Sequence, residues 1–265
     1  RFIDWLKVEQ KPDLVHISNA LLIGVAAEIR RALGVPIVCS LQDEDTWIDA
    51  MDHEWRQRCW DIIAEKSRDV DLFIAVSNWY AQKMSERARI RMDKIRVVPL
   101  GTEWEKREPS ELNNDPPVIG FLSRIHASLG FSELVHAFIE LKKDPRLANL
   151  KLRATGGVTS GDKEFLQHIM GRIKHAGVEN DVEIVEDFGK NARQEFVRSL
   201  SVLCAPAPHG EAFGFFIVEA GACGVPVVQP DAGAFREVVE MTGGGIIYNP
   251  HDKHALVKNL KKVLL

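Results

Sequence analysis

The chain has 265 residues, 45% hydrophobic and 27% charged, the proportions of a soluble globular protein long enough for one large or two medium α/β domains. Its net charge of −4 lies within residues 1–115, with 17 basic against 21 acidic side chains, and the rest balances at 17 of each; with no basic stripe, nucleic acid is not an expected partner. No apolar run approaches the roughly 20 residues of a membrane span, and Cys39, Cys59, Cys204 and Cys223 form no Cys-x-x-Cys pair, so we expect a cytoplasmic protein with free thiols, no metal site and no transmembrane segment, peripheral membrane contact staying open.

The chain opens at Arg1, without an initiator methionine, in what reads as mid-helix, so a fragment is expected. Residues 2–9 read as helix and Lys11-Pro12-Asp13 as a turn into the strand Leu14–Ile17. A helix over 19–33, capped by Asn19 and closed by Gly34, leads to the strand Pro36–Leu41. A Trp-rich helical region, about 46–66, precedes the strand Leu72–Val76, a helix capped by Ser77 or Asn78, and the strand Ile95–Pro99. All six tryptophans fall in this part, and filling its core is the expected role. Residues 102–117, charged and carrying three prolines, read as a linker.

The alternation then restarts with the strands Val118–Leu122, Leu150–Ala154, Val182–Val185, Val202–Ala205 and Val225–Val228, separated by helices over 131–143, 163–175 and 192–200. A helix over 234–241, the strand Ile246–Tyr248 and a helix from about His251 complete the chain. Strand alternating with helix predicts parallel sheets, hence an α/β protein of two doubly wound Rossmann-like domains. We expect an incomplete N-terminal domain over 1–107, a linker over 108–117 and a second domain over 118–265. Ligands of such sheets bind outside the carboxyl ends of the strands.

Arg124 stands at such an end, where a guanidinium suits a phosphate. Thr155-Gly156-Gly157 permits close backbone approach by a ligand or is a plain turn, and Gly243-Gly244-Gly245 reads as a helix cap. Neither has the spacing of a dinucleotide fingerprint, so no nicotinamide cofactor is expected. His16 and His209 lie at strand ends or loops, and Ser18 and Ser77 lack a nucleophile-elbow context.

The most informative stretch is His209–Val228, HGEAFGFFIVEAGACGVPVV. Glu211 precedes Phe213-Gly214, a helix of about nine residues carries Glu219, and Gly224 ends it. Two carboxylates therefore straddle a helix N-terminus, whose unpaired amides favour an anion. Glu219 sits among Ile217, Val218, Ala220 and Ala222, so a polar ligand or a structural partner must satisfy it.

Glu211, Phe213-Gly214, Glu219-Ala220 and Gly224-Val225-Pro226-Val227-Val228 together resemble the signature of the retaining glycosyltransferases of family 4, of two-domain GT-B fold. Pro12–His16, Asp71–Ser77, Val97–Gly101 and Gly233–Glu237 resemble further segments of that family, so the likeness runs along nearly the whole chain. It implies metal-independent transfer of a hexose from a nucleotide-diphosphate sugar, UDP- or GDP-sugars first, to an unknown sugar, lipid or small-molecule acceptor, with no cofactor. It also implies the catalytic pair Glu211 and Arg124, with Glu211 on the donor sugar and Arg124 on the departing diphosphate. The amides of Phe213, Gly214 and Phe215 would hold that diphosphate, Glu219 the ribose, and His16 and Ser18 the acceptor side; the base would be read by backbone near 185–188. Two positions depart from the family pattern: Leu129 stands where a lysine is usual, and Ser18 where a second histidine is common. With the missing N-terminal segments, they support an alternative: a nucleotide-sugar-binding protein without full turnover. Paired carboxylates alone would also permit glycoside hydrolysis.

Overall fold

The computed structural model describes residues 1–102, 115–185 and 189–265. They form two compact units, Arg1–Leu100 and Gly101–Leu265. Most of the expected linker, residues 103–114 with Trp104, lies outside the described residues.

In the first unit, α1 (Phe2–Trp5) runs into a wider helical turn ending at Gln10, then β1 (Val15–Ile17). A tight 3₁₀ segment Ala20–Val25, capped by Asn19 Oδ1 on the Leu21 amide, leads into α2 (Ala26–Leu33). There follow β2 (Ile37–Leu41), α3 (Glu44–Asp49), α4 (His53–Lys66), β3 (Leu72–Ala75), α5 (Asn78–Ala88) and β4 (Ile95–Val97). The four strands pair in parallel in the order β1-β2-β3-β4. Ser77 Oγ accepts from the Tyr80 amide at 3.0 Å, so of the two expected caps, Ser77 and Asn78, it is Ser77 that caps α5. The Trp-rich region is two helices, not one, broken around Met51-Asp52. Of its tryptophans only Trp60 is core; Trp47 and Trp55, like Trp5 on α1, are exposed, at 65%, 54% and 42%, so core filling is the wrong reading for them.

The second unit comprises β5 (Val118–Leu122), α6 (Phe131–Leu141), β6 (Lys151–Thr155), α7 (Lys163–His175), β7 (Val182–Ile184) and α8 (Lys190–Arg198). Then come β8 (Val202–Leu203), α9 (Phe215–Ala222), β9 (Val227–Pro230), α10 (Phe235–Thr242), β10 (Gly245–Tyr248) and α11 (Ala255–Leu264). The sheet is parallel, in the order β10-β9-β8-β5-β6-β7. Strand β5 is wholly buried, and the apolar face of α6 (Phe131, Leu134, Val135, Phe138) is fully buried with it. Burial of each such side chain contributes about 1.5–3 kcal/mol relative to exposure.

Two boundaries moved for identifiable reasons. Strand β9 begins only after Pro226, which has no amide for the ladder; its carbonyl accepts from Leu203 N at 2.9 Å. Helix α11 starts at Ala255 because Asn249 and Asp252 side chains accept from the amides of His251 and His254, drawing the backbone into turns first.

In a doubly wound sheet the chain reverses direction at one point in the strand order, and ligands bind there. Here that point lies between β5 and β8, because β6 and β7 are added on one side of β5 and β8, β9 and β10 on the other. The segments leaving β5 and β8 carry Arg124 and Glu211 respectively.

Candidate functional site

Two loops meet along the carboxyl edge of the second unit. Beyond β5, Ser123 N donates to Thr155 O (3.2 Å) and Ile125 N to Gly157 O (3.1 Å), so the Arg124 loop is laced to the loop following β6. Gly156, at φ +140°, makes this possible: a Cβ there would lie 2.1 Å from Ser123 O. The close approach this glycine permits is thus to the chain itself. Gly130 plays the same part toward β8, since its Cβ would meet Pro206 O at 2.3 Å.

Arg124 is 42% exposed at its side chain, and its Nε lies 3.6 Å from Asp162 Oδ2. Asp162 is buried, and it accepts from Thr159 N (3.0 Å) and Thr159 Oγ1 (2.5 Å). Those two donors, with Arg124 and His126 behind them, hold its carboxyl below the usual range. His126 Nε2 is 3.9 Å from Asp162 Oδ1, while its Nδ1 accepts from the Ser128 amide. One buried carboxylate therefore anchors both polar arms of the β5 loop. Leu129, half-buried in the turn Ala127–Leu129, adds no charge there.

Beyond β8 the chain runs through Pro206–Gly210 to Glu211. Gln229 on β9, fully buried, donates its amide nitrogen to Ala205 O (2.8 Å) and accepts from Ala205 N (3.2 Å), extending the pairing of β8 with β9 by a side chain. Glu211 is half-buried, and its carbonyl accepts from Ala234 N at 3.0 Å. Gly210 and Gly233, both at positive φ, let the Glu211 loop and the turn before α10 touch backbone to backbone. Phe213 is buried; Gly214, at φ +82°, is the N-cap of α9 and lies against the Phe235 ring. Gly214 has no side chain to cap this end, so the first-turn amides, Phe215 foremost, are the donors that helix geometry leaves without intrahelical partners.

Glu219, on the second turn of α9, is 2% exposed. Its partner is Arg193 on α8, whose Nη2 donates to Oε2 at 2.6 Å. Burial pushes the Glu219 carboxyl up, and Arg193 pulls it partly back. We did not expect Arg193 from the sequence. The signal was present, because Arg193 shares helical spacing with Phe196, Val197 and Leu200, all buried, and a cation on an apolar stripe requires a buried carboxylate.

Arg124, Glu211, Phe213, Gly214, Phe215 and Glu219 thus all lie on the β5 loop, the β8 loop or α9 of one unit. His16 and Ser18 belong to the other. There His16 Nε2 lies 2.8 Å from Ser40 Oγ, and the exposed Ser18 accepts from Gln42 Nε2 through its carbonyl. His209 is exposed. Of the stretch expected to read a base, residues 186–188 lie outside the described residues; Val185 has its amide on Ala154 O and its carbonyl on Thr155 Oγ1. Among the described residues no three His, Cys, Asp or Glu side chains gather as a metal site, and no helix is long and apolar enough to cross a membrane.

Residues 102–265 match the family described as glycosyl transferases group 1, and residues 1–106 match glycosyltransferase family 4. The chain is 27% identical over 197 residues to a D-inositol 3-phosphate glycosyltransferase of Xylanimonas cellulosilytica, covering 69% of this chain and 46% of that protein. It is 25% identical over 277 residues to the protein of the same name in Actinosynnema mirum, covering 96% of this chain and 64% of that one. The chain thus spans about half to two thirds of the length of these relatives. Among solved structures, the Anabaena protein HepE in complex with UDP and glucose superposes with a TM-score of 0.79 at 20% identity, over 98% of this chain and 70% of that one. Sucrose-phosphate synthase from Thermosynechococcus elongatus gives 0.79 at 20% identity, over 99% and 68%. The fold is that of the GT-B glycosyltransferases. With one family match spanning more than half of its length, the chain belongs to the glycosyl transferases group 1.

Proposed function

We propose that this protein is a retaining, metal-independent glycosyltransferase that moves a hexose from a nucleotide-diphosphate sugar to an acceptor. The observation that carries the reading is the glycine-capped N-terminus of α9, with Glu211 ahead of it and the buried Glu219 behind its first turn, at the reversal point of the sheet. HepE has been solved with UDP and glucose, and with UDP-glucose, which favours a uridine nucleotide as the first donor to try.

Cleaving the bond between sugar and nucleotide leaves negative charge on the departing diphosphate and positive charge on the anomeric carbon. Fixed donors aimed at the diphosphate stabilise that charge as it develops, typically by about 3–4 kcal/mol per donor in a water-excluded site. In our reading the amides of Phe213, Gly214 and Phe215 and the Arg124 guanidinium supply those donors. Glu211 holds donor-sugar hydroxyls near the reacting carbon, and Glu219 holds the ribose. His16 and Ser18 are assigned to the acceptor side, in a first domain ending near residue 107. Asp162, 3.6 Å from the Arg124 Nε, keeps a counter-charge beside the base of the guanidinium.

The experiment is release of nucleoside diphosphate from a panel of nucleotide sugars by the intact chain, by Glu211→Ala and by Arg124→Ala. Turnover should fall at least a hundredfold in either variant. Failure to bind every nucleotide sugar would overturn the reading. Leu129 and Ser18, neutral where the family pattern is cationic or basic, favour a second reading: a nucleotide-sugar-binding protein with impaired turnover. Binding without release under every acceptor tried would select it.

A further inference from the structure

The pairing of Arg193 with Glu219 has a geometry that bears on ribose recognition. The carboxylate is 2% exposed on a helix whose neighbouring side chains are apolar, and its contact to Arg193 at 2.6 Å is a charge-assisted hydrogen bond to one oxygen, Oε2. A carboxylate has two oxygens and about four acceptor positions. Among the described residues Glu219 takes its side-chain hydrogen bond at Oε2, which leaves Oε1 for another donor.

Arg193 is itself held in place. It sits one turn into α8, its amide donating to Gly189 O at 2.9 Å, and its side chain is 26% exposed. One and a half turns further, Arg198 stands beside Cys223 just past the end of α9, where its charge offsets part of the rise that burial causes in the thiol. Helices α8 and α9 thus face each other at two levels, and the Arg193 guanidinium reaches Glu219 across that contact.

We propose that Arg193 is a positioning residue for the nucleotide's ribose: by fixing Glu219 through Oε2 it presents Oε1 to the ribose hydroxyls. This rests on the reading of Glu219 as the ribose clamp. A hydroxyl donating to a fixed carboxylate discriminates strongly against a ligand lacking that hydroxyl, because the buried acceptor is then left unsatisfied. Without Arg193 the carboxylate would lose its orientation and its counter-charge, and the discrimination with them.

The test is calorimetric titration of the full chain with UDP, GDP and their 2′-deoxy counterparts. The unsubstituted chain should bind the ribonucleotide about tenfold or more tightly than the deoxynucleotide, the effect of one hydrogen bond to a charged group. Arg193→Ala should lose about tenfold in ribonucleotide affinity and little in deoxynucleotide affinity, so the ratio falls toward one. Arg193→Lys, which keeps the charge, should recover part of the ratio. A merely structural role would weaken both ligands alike and leave the ratio intact, and that result would overturn the proposal. If Arg193→Ala does not fold, the decision passes to Arg193→Lys and Arg193→Gln; an unchanged ratio in both would overturn it equally. Loss of discrimination in Glu219→Gln but not in the Arg193 variants would reject the proposal and keep the ribose clamp. A chain that binds no nucleotide, or whose discrimination survives Glu219→Gln, would reject the clamp itself.

Discussion

Tyr80 Oη donates to Glu44 Oε2 at 2.7 Å, and both residues are fully buried in the first unit. The same carboxylate accepts from the Ala20 amide at 2.9 Å and from the Gln42 amide at 2.7 Å. It therefore ties together the segments that leave β1, β2 and β3 at the carboxyl edge of that sheet. Burial, followed by the charges of Glu44 and Asp45, pushes the Tyr80 phenol far above its ordinary range, so it stays a donor at every working pH. Tyr80→Phe should cost about 1–3 kcal/mol, because it removes a donor and leaves a buried carboxylate oxygen less satisfied. Urea unfolding would read this as a lower midpoint with an unchanged slope. A loss below about 0.5 kcal/mol would mean that the two backbone amides suffice.

Gly156 and Gly157 make a sharper pair, because they are neighbours with positive φ and very different surroundings. A methyl on Gly156 would collide with Ser123 backbone, whereas one on Gly157 would meet nothing within 4 Å. Both alanine variants carry backbone strain, on the order of 1–3 kcal/mol. Only Gly156→Ala must also push the β5 exit away from the β6 exit. The expected result is a melting temperature lower for Gly156→Ala than for Gly157→Ala, and weakened nucleotide binding in the former alone, since its displaced loop carries Arg124. Equal effects would show that the lacing between the loops is pliable.

What the sequence disclosed, and what it withheld, follows from the range of the interactions involved. Helix α7 and strand β5 were legible to the residue, because periodicity and flanking turns are local signals. The caps were legible to within a residue or two: Ser77, of the pair Ser77 and Asn78, caps α5, and Gly243, first of three glycines, ends α10. Glu219 was legible as a carboxylate needing a partner. That the partner is Arg193, 26 residues away on another helix, depends on packing between helices that no local pattern encodes. Glu44 was passed over for the same reason: in sequence it is one acid among several in Gln42–Asp45, and only the fold turns it inward onto three separate segments. The exposed Trp47 and Trp55 show the converse. Composition implied core, but the helices carrying them turn other faces inward, Glu44, Asp45 and Ile48 on α3 and Trp60 and Ile63 on α4.

The cysteines give a prediction with a simple count. Cys39, Cys204 and Cys223 are buried, and Cys59 on α4 is partly exposed. Burial, with the nearby Glu44, pushes the Cys39 thiol up to about 12, and burial likewise raises Cys204 and Cys223. The thiolate is the reactive form, so these three should be inert in the folded chain. Titration with a disulfide reagent at pH 8 should give one fast equivalent without denaturant and four with it. Two or more fast equivalents would show that a buried site opens readily.

Glu219 carries the last prediction, a trade between stability and binding. Burial raises its pKa above the ordinary glutamate value of 4.5, and Arg193 does not fully cancel the shift. A raised carboxyl pKa means that the folded chain prefers the protonated form more than the unfolded chain does. The stability contributed by this group is therefore fully present below the unfolded pKa and is lost as pH rises through the folded one. Glu219→Gln, a permanent mimic of the protonated form, should melt higher than the unsubstituted chain at pH 8. That advantage should shrink as pH is lowered and vanish below 4.5, the ordinary value for the residue. The same variant should bind ribonucleotides more weakly at pH 8, because an amide replaces the carboxylate that accepts the ribose hydroxyls. A variant that is both less stable and weaker in binding at pH 8 would show instead that the contact with Arg193 outweighs the penalty of burying the charge.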